Sequence, residues 1–276
     1  MLSQNQILAT NARRLAGAVL ASAIGICAAA GPGMAAQLQD GGSAVVRGIV
    51  DGDTVTLGTA ISGATEIRLV GIQAPKLPLG RRGFQKWPLA DEAKALLGRL
   101  VRDKRVRLTH SGRRLDRHGR LLAHLHLEDG TWVQGALLAA GLVRVYSFDD
   151  NRARVAEMLK RERDARAAGR GMWRLDYYRI LEAGEAGRHL NTFQIVEGRV
   201  LAAAKVRGRL YLNFGANWRT DFTVSLAPRA ARLFRREGIE PVAFEGRRIR
   251  IRGWLKSLNG PMINATRPEQ IEVLEE

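Results

Sequence analysis

The stretch from Val50 to Lys76 constrains the fold more than any other. It reads Val50-Asp51-Gly52-Asp53-Thr54-Val55 and then Ile67-Arg68-Leu69-Val70-Gly71-Ile72-Gln73-Ala74-Pro75-Lys76. Two carboxylates flank a glycine between β-branched residues. That is the chemistry of a tight strand reversal, so both acids are expected at a strand end. Arg68 lies between Ile67 and Leu69, and period-2 alternation turns it to the face opposite them. Asp116-Arg117-His118-Gly119-Arg120 supplies a further arginine just ahead of an alternating strand. Carboxylates suited to a hard cation and two arginines suited to phosphate are the parts of a site that handles phosphodiesters. A closed Asp53–Arg68–Arg120 ion cluster with a purely structural role is the alternative.

The elements around this stretch are short. Strands are expected over 45–57, 65–72 and 105–108 and again from Leu121, with helices over 89–101, 133–140 and 151–168. Asp91 and Glu92 suit the first turn of the helix that starts near Leu89, and Gly141 suits a helix end. Residues 37–43 read as a polar linker. The basic loop 81–88 carries Phe84 and Trp87, which either stack a base or fold onto the core. His124 and His126 share a strand face with no third metal ligand nearby, which favours a structural role. After a boundary at 179–190, strands and one helix follow in the order β-β-β-α-β-β over 191–276. The fold class is therefore mainly β with helices (α+β): two small OB-type barrels, the first, over 44–178, carrying three packed helices. In the second, Tyr211, Phe214 and Trp218 are either core or base-stacking residues.

Asp51-Gly52-Asp53-Thr54, the strand Ile67-Arg68-Leu69 ending in Ala74-Pro75, and Asp116-Arg117-His118-Gly119-Arg120 resemble the three motifs of the staphylococcal nuclease family, in order and in approximate spacing. The resemblance covers about Ser43 to Arg174. It implies Asp53 as the principal Ca²⁺ ligand with Asp51 in support, and Arg68 and Arg120 as the groups that neutralise phosphorane charge. It also implies substrate contacts from Arg117 and His118, and an aromatic floor from Tyr146 and Phe148. Two positions depart from the family pattern. Gln73 stands where the second carboxylate ligand is expected, which removes one negative charge and weakens Ca²⁺. Lys76 stands where the general base is expected, and an ammonium near its reference pKa of about 10.4 takes no proton from water at neutral pH.

Charge points to the partner. There are 44 lysines and arginines against 27 acidic residues, a formal net charge of +17. A chain this basic seeks polyanions. Its N-terminus reads as an export signal over 1–36: a basic Asn11-Ala12-Arg13-Arg14, an apolar run from Leu15 to Ala30, and small residues at Gly33-Met34-Ala35-Ala36. The run is short for a membrane span and is broken by Gly31-Pro32-Gly33. Cys27, the one cysteine, falls inside it. The expectation is an exported protein, periplasmic or secreted, with no stable membrane insertion after cleavage and with DNA or RNA as partner. It is read as a nuclease-like hydrolase, and the alternative is a non-catalytic module that binds nucleic acid, another polyanion or a protein.

Overall fold

The computed structural model describes residues 38–274. The expected export segment, with Cys27, lies outside them. The first half contains β1 (Gln39–Asp51), β2 (Thr54–Ile61), β3 (Ala64–Leu69), β4 (Ile72–Gln73), α1 (Ala90–Val101), β5 (Arg105–His110), β6 (Leu121–His126), α2 (Val133–Ala139), β7 (Arg144–Val145) and α3 (Val155–Ala167). Strands β1, β2, β3, β6 and β5 close a barrel in that order. The β3–β6 pair is parallel and the others are antiparallel. Val46, Val55, Ile67, Leu69 and Leu125, all fully buried, fill the interior. Burying a side chain of this kind stabilises by roughly 1.5–3 kcal/mol. Ala93, Leu97 and Val101 of α1, Leu137 and Leu138 of α2, and Met158 of α3 belong to the same core. The barrel with three packed helices is thus one hydrophobic unit.

Residues 39–43, expected as linker, are strand. They pair with β5 from Gln39 opposite His110 onward, and a bulge between Asp40 and Ser43 absorbs the register change at Gly42, whose φ is +80°. An exposed edge needs no apolar alternation, so nothing apolar marked it in the sequence. Gly52 also has a different cause from the one expected. Its φ is not positive. A Cβ there would sit 2.6 Å from Ala93 Cβ and 2.7 Å from Ala74 Cβ. Close packing of α1 and the Ala74 loop, not the turn type, requires glycine.

The second half contains β8 (Leu181–Glu182), β9 (Phe193–Arg199), β10 (Ala202–Val206), β11 (Arg209–Asn213), β12 (Thr223–Leu226), α4 (Pro228–Arg236), β13 (Arg248–Trp254), β14 (Lys256–Ser257), β15 (Pro261–Ala265) and β16 (Ile271–Val273). They form a sheet of order β10-β11-β12-β15-β14 and another of order β16-β13-β9-β8. The chain passes between the sheets at 200–201, within a stretch from Phe193 to Val206 that reads in sequence as one strand, and again at Leu255. The stretch 262–274, which also reads in sequence as one strand, is interrupted at Pro268, which opens a short 3₁₀ turn. Val196, Leu212, Val224, Phe234, Ile251 and Ile263 are fully buried in a second core. Phe214 packs on Phe222, with ring centroids 4.9 Å apart, and joins that core, whereas Trp218 is exposed.

The halves are joined by buried ions. Glu162 on α3 is fully buried. Its carboxylate accepts the Val145 N–H at 2.6 Å and pairs with Arg252 of β13 at 2.8 Å and with Arg166 at 3.4 Å. Arg252 and Arg166 each also reach Glu272 at 3.0 Å. Arg152 grips Glu237 and Glu269, both at 2.7 Å. Removing one member of such a network strands the others without water. Glu162→Leu should therefore lower unfolding stability by about 3–5 kcal/mol in urea melts. Lys160→Ala, which breaks an exposed pair with Asp164, should stay within about 0.5 kcal/mol of the native chain.

Candidate active site

The site begins where β1 turns into β2. Asp51 lies opposite Thr54, and Thr54 lies opposite Arg68 in β3. This register sets the two acids of the turn beside the arginine of the third strand. Asp53 is fully buried. Its Oδ2 accepts the Ala74 N–H at 2.7 Å and the Lys76 ammonium at 2.9 Å, with the Arg68 guanidinium at 3.2 Å. Its Oδ1 accepts the Thr54 hydroxyl at 3.2 Å. Asp51 accepts the Asp53 N–H at 3.0 Å and lies 3.9 Å from the Lys76 ammonium. Arg68 is pinned as well, donating to the carbonyls of Leu69 and Ile72, both at 2.6 Å.

These neighbours split the two carboxyls. Burial alone would raise Asp53, but Arg68, Lys76 and the Ala74 N–H outweigh it and hold the group at about 2. Asp51 is pushed up from its usual value, first by burial and then by the charge of Asp53. Asp53 is therefore ionised at neutral pH, and its charge is spent inside the protein.

Gln73 corrects the sequence expectation. Its side-chain oxygen, expected on a cation, accepts two bonds from Arg144, from Nε at 2.9 Å and a terminal nitrogen at 2.7 Å. The pairing of β4 with β7 puts the two residues face to face. Lys76, sited where a base was expected, brings its ammonium onto both acids. Ca²⁺ takes six to eight oxygen ligands. Here the two acids share an ammonium, the third donor is a neutral amide turned to an arginine, and no group of three or more His, Cys, Asp or Glu side chains converges among the described residues. The donor set does not fit Ca²⁺.

Above the acids lies a cleft of about 650 Å³, lined by Arg68, Gln73, Lys76, Arg117, His118, Arg120, Tyr146 and Phe148. Asp51 and Asp53 form its buried floor and not its surface. Arg120 does not reach Asp53. It pairs with Asp116 at 2.7 Å, and the same carboxylate also accepts the backbone N–H groups of His118 and Arg120. The closed three-residue ion cluster therefore does not form. Arg117 and His118 lie at the exposed rim, bonded to each other at 3.1 Å. Tyr146 and Phe148 meet edge to face at 5.0 Å.

Several cleft residues were not foreseen. Asp116 positions Arg120, and the spacing of four between them was the available signal. Arg113 gave none. Trp254, from the second half, lines the same cleft and donates its indole N–H to the Tyr146 hydroxyl at 2.8 Å. The histidine pair lies apart from the cleft. His126 bonds the Thr109 hydroxyl at 3.0 Å, and the His124 ring packs against Trp132.

Fold and cleft together define a small closed barrel with a cationic depression over a neutralised carboxylate floor. The family model described as "Staphylococcal nuclease homologue" matches residues 66–175. Two relatives, from Escherichia coli O157:H7 and Escherichia coli and each named "Uncharacterized endonuclease", are 33% identical over 129 residues, covering 47% of this chain and 74% of each relative. The chain belongs to the staphylococcal nuclease homologue family.

The donor set predicts that Ca²⁺ added to the native chain gives no binding isotherm by calorimetry below roughly millimolar concentration. Lys76→Glu, which places a third carboxylate beside Asp51 and Asp53, should gain binding. Saturable heat from the native chain with micromolar Ca²⁺ would refute this account of the floor. The histidines give a separate expectation. Burial lowers His124 to about 3 and His126 to about 4, so the unfolded chain protonates first as pH falls below about 6.5. Their contribution is complete above that pH and is lost on acidification toward pH 4, at up to roughly 1.4 kcal/mol per pH unit per histidine. Urea melts across pH 7 to 4 should show the decline, and His124→Gln/His126→Gln should flatten it.

Proposed function

We propose that the protein is an exported phosphodiesterase acting on nucleic acid, with the second half read as an OB-like barrel on its pairing order. The observation that carries the reading is that Arg68, Lys76 and Arg120 open onto one cleft above acids that they or their neighbours already balance. Three fixed cations suit a phosphate that gains charge as water attacks it. Arginine's fork matches two phosphoryl oxygens at once, and Lys76 adds a point charge where other designs place a metal. Nothing at position 76 can take the proton of the attacking water, and loss of such help slows reaction by about 10²–10⁴-fold. The remaining cleft carboxylates, Asp116 and Asp150, are paired with Arg120 and Arg113. A slow, Ca²⁺-independent enzyme is the result.

That lack of a base supports a second reading, a cleft that binds polyanions without turnover. Incubation with single-stranded DNA, duplex DNA and RNA, each with Ca²⁺ or with a chelator, separates the two. The enzyme reading expects cleavage that the chelator leaves unchanged, and a kcat for Arg68→Lys that is lower by about 10²–10³-fold. No cleavage above an Asp53→Ala/Arg68→Ala control rejects it. Salt-steep binding without turnover would then support the second reading.

A further inference from the structure

A second cleft, of about 330 Å³, opens on the other side of the Gln73–Arg144 pair. Gln73 lines the first cleft and Arg144 the second, so one hydrogen-bonded pair forms the partition between them. Trp254 lines both. The second cleft draws its walls from both halves of the chain: Trp87, Arg144 and Tyr177 on one side, Phe193 and Trp254 on the other.

Its chemistry is that of a surface for bases and phosphates. Tyr177 is 54% exposed and Trp254 46%, a costly use of aromatic surface unless something covers it. Trp87 and Tyr177 lie 6.1 Å apart at a tilt. Arg144 is only 7% exposed. Its guanidinium carbon stands 4.6 Å from the Phe193 centroid and 5.8 Å from that of Trp87. Its hydrogen-bond acceptor is a neutral amide, and no carboxylate lies within ion-pairing distance of it among the described residues. Glu162 offsets part of its charge but is already shared by Arg252 and Arg166, and a buried cation that lacks a counter-charge of its own is expensive. An anion entering the cleft would supply that charge. Arg179 adds an exposed guanidinium at the mouth, where Asp176 and Glu185 share it.

We propose that this second cleft is a nucleotide subsite for single-stranded nucleic acid, continuous with the first cleft over Trp254, in which a backbone phosphate faces Arg144 and bases stack on Trp254 and Tyr177. The proposal rests on the nucleic-acid reading above and extends it to a substrate class. Single strands offer base faces to aromatic side chains, whereas a duplex keeps those faces stacked. Continuity with the first cleft means that one strand occupies both, so affinity grows with length until the two are filled.

Binding tests this without reading turnover. Fluorescein-labelled phosphorothioate oligothymidylates of two and ten nucleotides are titrated with the full chain and followed by anisotropy. Tyr177→Ala and Trp254→Ala are each expected to weaken the ten-mer about 5- to 150-fold, the span of one lost stacking contact, and to weaken the dimer less. Trp254→Phe retains a ring and should stay closer to the native value. Circular dichroism melts confirm that each variant is folded. Ten-mer affinity equal to native in both alanine variants overturns the proposal. So does ten-mer binding that high salt leaves unchanged, which would mark an apolar peptide-like site. If the variants lose ten-mer affinity but the native chain cleaves nothing, the subsite stands and the phosphodiesterase reading falls. If native cleavage proceeds and ten-mer affinity is unmoved, the reverse holds.

Discussion

A carboxylate with no access to water must find its counter-charge inside the protein, and Asp53 finds it three times over. The Ala74 N–H, the Lys76 ammonium and the Arg68 guanidinium converge on one oxygen. They come from two segments: Arg68 from the β3 strand, and Ala74 and Lys76 from the loop after β4. The acid thus fixes where those segments meet. It also orients the cations that line the cleft, because the guanidinium that touches Asp53 is held in turn by the Leu69 and Ile72 carbonyls. Desolvation of one acid organises the electrostatics of the whole depression.

The same logic recurs at the junction. Glu162 is buried against Arg252 and Arg166 and also accepts the Val145 N–H. Val145 follows Arg144, whose side chain reaches Gln73. A short covalent and hydrogen-bonded path therefore runs from the interface of the halves to the partition between the clefts. Trp254 ends β13, the strand that carries Arg252, and so the ion pairs that join the halves also set the position of an aromatic wall. Such pairs add little net stability relative to apolar packing, yet they tolerate few alternative arrangements.

Much of the floor was legible because it is local. Asp51, Asp53 and Arg68 lie within three consecutive antiparallel strands, β1 to β3, and a period-2 pattern is enough to bring them together. The Asp116–Arg120 pair spans four residues and was legible in principle, although the arginine alone was singled out. Gln73 was misjudged because its partner lies 71 positions away, and only the β4–β7 pairing brings them together. Trp254 lies further still from the motifs. The glycine of the Asp-Gly-Asp turn reads in sequence as turn chemistry, whereas its cause is crowding by Ala74 and by a helix some forty residues later. The edge strand at 39–43 went unseen because solvent-facing pairing leaves no apolar trace. Short-range geometry shows in a string of residues, and long-range desolvation does not.

Glu162 has one more consequence. An ion sealed between two cores belongs to neither alone, so separating them would leave a bare charge in each exposed face. The barrel and its companion should then lose structure together on heating, in one calorimetric transition, despite having separate hydrophobic centres.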